Sequence, residues 1–156
     1  MRKYPLLFVF FLFAFTSLAQ SAQLNSLNNY EIVKTFQNTT ITSIPVAEIN
    51  DKLIANPFTG YLGKSGRVVG YFEKPLANDQ RQTDWGVWTV TADGTFCITW
   101  NQWYDNKQVC WFIYELGNGY LFVNAKRHNF TSVILKDIKP GNHTGKPIQS
   151  NSNEKR

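Results

Sequence analysis

The chain has 156 residues, with sixteen Lys and Arg against eleven Asp and Glu, a formal net charge of +5 and two Cys. Its basic residues are spread out rather than gathered in a run, which argues against the clustered cationic face of a nucleic-acid binder. Once both polar ends and the leader are set aside, about 110 residues are left, enough for one hydrophobic core and one domain.

Residues 1–19 read as a secretory signal peptide. Arg2 and Lys3 give a positive start, Leu6 to Phe15 are almost all apolar, and Ser17-Leu18-Ala19 is a small-x-small cleavage site. The apolar run is about ten residues, half of the roughly twenty that a spanning helix takes. No stable membrane anchor is therefore expected after cleavage. Cutting after Ala19 is favoured over cutting after Ala22, and no Cys stands nearby to carry a lipid. Loss of Arg2 and Lys3 leaves fourteen basic residues against eleven acidic ones, a net charge of +3. The expected location is periplasmic or secreted.

Residues 20–29 are polar and Asn-rich, and predict a loose N-terminal lead-in. Tyr30 to Phe36 fits either the start of a strand or a helical turn. Pro45 to Ile54 predicts a short helix, because Pro45 suits a first helical position and Val46, Ile49 and Leu53 recur on one face. Asn56-Pro57 would end it, since the residue before proline is pushed out of the helical region. From Thr59 the period changes to two. Strands are expected at Thr59–Gly63, Arg67–Lys74, Gly86–Thr91, Thr95–Asn101, Lys107–Glu115, Tyr120–Ala125 and Thr131–Ile138. Asp93-Gly94 and Gly117-Asn118-Gly119 supply the positive φ that tight hairpins demand. The expected fold class is mainly β with a minor α part: an antiparallel meander of six to seven strands, as a curled sheet or small barrel, with one short N-terminal helix. A single β-rich domain spans 30–138. Residues 139–156 hold one large apolar residue, Ile148, and predict a disordered polar tail that cannot bury enough surface to offset its ordering entropy.

All five Trp and both Cys fall within residues 85–111. In an oxidising compartment two cysteines read as one disulfide, and twelve intervening residues rule out a redox Cys-x-x-Cys. A metal pair would need further ligands, and only His128 and His143 are on offer, so no metal or other cofactor is expected. If Cys97 faces Cys110, then Thr99 faces Gln108 and Asn101 faces Asn106. Phe96, Ile98 and Trp100 then share one face with Val109, Trp111 and Ile113, the better candidate core. That register puts Trp103 and Tyr104 at the hairpin tip with Lys107 beside them. Aromatic side chains at a tip can meet a sugar ring, a lipid head-group region or a protein pocket, so these three are the candidate ligand-binding residues. The opposing possibility is a tip folded back over the sheet edge.

Catalytic patterns are lacking. Asp79, Asp84, Asp93, Asp105 and Glu115 fall mostly in turns, and no two have the spacing of a catalytic pair. Gly-x-Ser-x-Gly and His-Glu-x-x-His are absent, and His128 sits in a polar turn. Asn38-Thr39-Thr40, Asn129-Phe130-Thr131 and Asn142-His143-Thr144 match glycosylation sequons.

Gly86-Val87-Trp88 is similar to the Gly-x-Trp of lipocalin first strands, but lipocalins place it near the mature start, whereas here it follows some sixty residues of the mature chain. A wider resemblance runs from about Ala47 to Val123. Gly86, Trp88, Val90, Asp93, Gly94, Cys97, Trp100 and Cys110, followed by Tyr114, form a pattern that resembles the bacterial exported family known as DUF995. That resemblance implies a periplasmic or secreted proteobacterial protein and transfers no catalytic residue. The first expectation for function is a non-enzymatic binding or interaction module whose partner is an envelope polysaccharide or a protein. A lipocalin-like carrier of a small hydrophobic ligand comes second, and a hydrolase of unknown type third.

Overall fold

The computed structural model describes residues 24–49, 52–73, 82–126, 131–135 and 137–148. The expected signal at 1–19 lies outside the described residues, as do 149–156. The chain first folds into helix α1 (Asn29–Phe36). Asn28 Oδ1 accepts the Glu31 N–H at 3.0 Å, and Glu31 Oε2 accepts the Asn28 N–H at 2.8 Å. This reciprocal capping satisfies two donors that a helix start leaves open. It decides the ambiguous Tyr30–Phe36 stretch in favour of helix. At the other end Thr39 Oγ1 donates to Phe36 O, and Asn38 takes φ of +61° to turn the chain.

The helix expected over Pro45–Ile54 is not present. Strand β1 (Thr39–Ile49) runs through it and returns as β2 (Lys52–Ala55). Val46 stands opposite both Ala55 and Thr131, so the segment is paired on its two edges. Ladder bonding on both sides outweighs a three-residue helical period in a run this rich in β-branched residues.

Eight further strands follow: β3 (Phe58–Leu62), β4 (Arg67–Phe72), β5 (Thr83–Val90), β6 (Phe96–Trp100), β7 (Gln108–Leu116), β8 (Gly119–Asn124), β9 (Thr131–Leu135) and β10 (Lys139–Pro140). The seven strands read from the alternation are all there, joined by β1, β2 and β10. One antiparallel sheet contains all ten. One edge of β1 carries β2 and then β3, while its other edge carries β9 and β10. The sheet therefore curls until its last long strand meets its first, an up-and-down arrangement in which neighbours in sequence are neighbours in space. About eight strands round is the size at which side chains fill a barrel interior.

The interior follows the parity expected for the cysteine hairpin. Cys97 faces Cys110, Ile98 faces Val109 and Thr99 faces Gln108. Phe96, Ile98, Trp100, Trp111 and Ile113 lie in one core with Trp88, Phe58, Phe72 and Phe122, and Val109 packs against it. Helix α1 adds Ile32 and Phe36, both fully buried. Phe36 meets Tyr120 at 5.1 Å, Phe122 at 5.8 Å and Phe96 at 6.5 Å between ring centroids. Large rings need room, and glycines on the same inward parity supply it. A Cβ on Gly70 would lie 2.5 Å from the Phe58 ring and 2.8 Å from Trp100. The bond between Cys97 and Cys110 sits on the outer face of the same hairpin, with the two Cα atoms 4.1 Å apart.

Two further segments depart from expectation. The lead-in is tied down from Ser26, which bridges to Tyr114, and the Leu27 N–H donates to Ile113 O at 2.7 Å. Residues 139–148 are not a free tail but a clasp across the outside of the sheet. β10 pairs with Thr39 and Thr40; Thr40 Oγ1 donates to Gly141 O and accepts the His143 N–H. Trp85 Nε1 donates to Pro147 O at 2.9 Å. The register lines up Tyr61, Val69 and Trp85 on the outward parity of β3, β4 and β5. Tyr61 and Val69 are nonetheless buried. An apolar outer strip gives the clasp something to cover, which its own composition does not reveal.

Candidate functional site

Two features share the end of the barrel at which β4 and β6 finish. The first is the β6–β7 tip. After Trp100 the Asn101 N–H donates to Trp85 O at 2.8 Å, and a 3₁₀ turn takes up Trp103–Asn106. Tyr104, Asp105 and Asn106 have φ of +57°, +55° and +59°. Each non-glycine residue in this left-handed region costs about 1–2 kcal/mol against the right-handed alternative.

Two contacts hold the turn against that cost. Asp84, 2 % exposed, accepts the Gln102 and Trp103 N–H groups through Oδ2 at 2.8 and 2.9 Å and its neighbour's N–H, from Trp85, through Oδ1 at 2.9 Å. Trp103 then drives its ring into the core against Trp100, Phe72 and Phe58, with centroids 4.7, 5.0 and 6.4 Å away. The expectation that Trp103 stands exposed as a contact residue is therefore corrected: it is 1 % exposed. A large aromatic next to a barrel mouth lowers its free energy by plugging it, and the left-handed turn is what lets it reach inward.

Tyr104 does stand out, 39 % exposed. Its neighbours remove enough water to push the phenol pKa upward. With that much of the residue in solvent, this reports crowding rather than tuning for catalysis. Lys107 is exposed, its Nζ 3.3 Å from Asp105 Oδ2, a surface pair worth about 0–1 kcal/mol. We expect Asp84→Ala to lower stability by about 2–3 kcal/mol, since it strips the acceptor from three backbone donors. Asp84→Asn, which keeps one carbonyl oxygen, should cost clearly less. Urea unfolding of both variants checks this, and equal losses would show that packing, not hydrogen bonding, is what Asp84 supplies.

The second feature is a cleft of about 260 Å³ lined by Tyr71, Phe72, Glu73, Gln82, Thr83, Thr144 and Lys146. Phe72 belongs to both features, since its ring also packs on Trp103. Strands β4 and β5 supply one wall and the clasp the other. Thr144 shapes that second wall: its hydroxyl donates to Asn142 Oδ1 at 2.6 Å and accepts the Lys146 N–H at 3.2 Å. The cleft has slightly less volume than the roughly 300–1,000 Å³ of sites for drug-sized ligands. It carries a single carboxylate, Glu73, so the lining residues do not assemble the acid pair on which glycoside hydrolysis usually depends.

Sequence reasoning missed this cleft. Tyr71, Glu73, Gln82 and Thr83 match no motif, and Lys146 lies in the stretch read as tail. The one available signal was Val69 beside Val68 in β4, which breaks the alternation of a strand with a wet outer face. Of the acids singled out, Asp93 is engaged with the hydroxyls of Thr91 and Thr95 in the β5–β6 turn. The Thr91 hydrogen bond is the chief reason its pKa falls below the ordinary carboxylate value. Asp79 and His128 lie outside the described residues.

Among the described residues no three His, Cys, Asp or Glu gather closely enough to hold a metal ion. Among the same residues no helix is long and apolar enough to cross a membrane. No protein-family model, no curated protein and no solved structure matches the chain.

Proposed function

We propose that the chain is an exported, non-enzymatic binding module that takes its partner at the barrel end formed by the cleft and the Tyr104 tip. The cleft is the observation that carries this reading: about 260 Å³ lined by the Tyr71 ring, the hydroxyls of Tyr71, Thr83 and Thr144 and the Gln82 amide, with one acid and one cation. Export is supported by the bonded Cys97 and Cys110, because disulfides persist in oxidising compartments. The resemblance to DUF995 belongs to the same proposal and adds no site residue. Gly86 and Trp88 of that pattern serve the fold: Trp88 is in the core with Nε1 donating to Gly63 O, and a Cβ on Gly86 would strike Thr99 O.

The test is nuclear magnetic resonance of the labelled mature chain titrated with fractionated envelope polysaccharide and with envelope protein. A partner should move the amide signals of Gln82, Thr83 and Tyr104. The double variant Gln82→Ala/Tyr104→Ala should weaken binding about tenfold, a loss of about 1.4 kcal/mol, with its melting temperature nearly unchanged. Binding that leaves this end of the barrel silent would refute the reading.

A carrier of a small hydrophobic ligand is the second reading, favoured by Trp111, whose buried Nε1 makes no hydrogen bond among the described residues. A buried donor without an acceptor is costly and suits a ligand bearing one. Native mass spectrometry decides it: an apolar compound that co-purifies, and is lost in Trp111→Phe, would favour the carrier.

A further inference from the structure

We infer that the cleft accepts one uncharged sugar residue of a glycan, an inference that rests on the cleft being the binding site proposed above. Four observations narrow the ligand. First, β4 is paired on both edges where it lines the cleft, Tyr71 standing between Thr59 and Thr83, so that wall offers no free strand edge for a peptide to extend. Second, the lining holds one Glu and one Lys, so it has no excess positive charge to draw a phosphate or uronate. Strong anion sites gather several cationic or N–H donors.

Third, Tyr71, half-buried on the outer face of β4, gives an aromatic ring on which the C–H face of a pyranose can lie. Fourth, the polar side chains of Tyr71, Glu73, Thr83 and Lys146 make no hydrogen bond with other described residues. Gln82 commits one N–H to Glu73 O at 3.2 Å and keeps its amide oxygen and a second N–H. The free set thus mixes a pure acceptor, Glu73, a pure donor, Lys146, and groups that do both. Sugar hydroxyls each donate and accept, so two neighbouring ones can satisfy a carboxylate and an ammonium together. A hydrocarbon chain would leave these groups desolvated and unpaired. The clasp is part of the site, because it brings Lys146 opposite Glu73 and Gln82.

The experiment titrates the labelled full-length secreted chain with methyl glycosides of glucose, galactose, mannose and N-acetylglucosamine, and separately with glucuronate and inorganic phosphate. At least one glycoside should shift the amides of Gln82, Thr83 and Lys146 saturably, with a Kd on the order of 1 mM, as suits a single small ligand in an open cleft. Tyr71→Ala should weaken that binding about tenfold, and Gln82→Ala, an exposed change that leaves the fold alone, by a smaller factor. The inference is overturned if glucuronate or phosphate shifts these amides more strongly than any glycoside. It is also overturned if no glycoside moves them while an envelope protein does, and in that case the binding-module reading survives. If no glycoside, polysaccharide or envelope protein moves them, both readings fail.

Discussion

Trp103→Ala should lower the stability of this domain by about 3–5 kcal/mol, the usual cost of emptying a fully packed aromatic site. The expected fall in melting temperature is about 10–20 °C for a domain of this size. The ring is 1 % exposed and touches Trp100, Phe72 and Phe58, while its backbone N–H is held by Asp84. Its removal leaves a void at the barrel mouth and takes away the weight that keeps Tyr104, Asp105 and Asn106 left-handed. Tyr104→Ala and Lys107→Ala, both at solvent-exposed positions, should each stay within about 1 kcal/mol of the wild type. Asp105→Gly should stabilise by about 0.5–1 kcal/mol, because glycine adopts φ of +55° without a Cβ penalty. Calorimetry on the four variants separates them. A Trp103→Ala protein that melts within a few degrees of the parent would mean that the ring is not packed where the structure puts it.

The second large effect concerns the disulfide. Replacing both Cys97 and Cys110 by Ala frees a loop whose ends are thirteen positions apart. The chain-entropy treatment gives about 3 kcal/mol for a loop of roughly this length. The melting temperature should fall by about 10 °C. The hairpin should keep its register, since Phe96 opposite Trp111 and Ile98 opposite Val109 hold it from the inner face. Hydrogen exchange then has a distinct signature: faster opening of β6 and β7, with β3 and β4 less affected. Unchanged unfolding free energy in the double variant would show that the bridge merely decorates a hairpin already locked by its core.

These two sites illustrate how local and distant information divide. The cysteine pair could be read correctly from one stretch of sequence, because strand alternation, two cysteines and a short connection fix a register by parity alone. Trp103 could not. Its place beyond the last paired residue of β6 reads as a tip, and Asp84 on β5 and the rings of Phe58 and Phe72, all distant in sequence, help draw it inward. The same division runs through the candidate site. Lys146 meets Tyr71 and Gln82 across more than sixty residues of chain, and nothing near Lys146 announces those partners.

What the amino-acid order determined by itself was therefore local and periodic. It set the β class, the seven alternating strands, the Asp93-Gly94 and Gly117-Asn118-Gly119 turns, and the inward face of the cysteine hairpin. Even α1 was encoded locally, in Asn28 and Glu31 three positions apart, though its apolar pattern was too short to stand out. Tertiary structure decided whatever depended on a partner far along the chain. It paired Pro45 and Val46 with β9 and Val46 to Ile49 with β2, and so made strand of an apparent helix. It tied residues 139–148 to Thr39, Thr40 and Trp85 and so made a clasp of an apparent tail. In each case the ladder bonds and buried surface came from residues that sequence proximity does not connect, and their free energy outweighed the local preference.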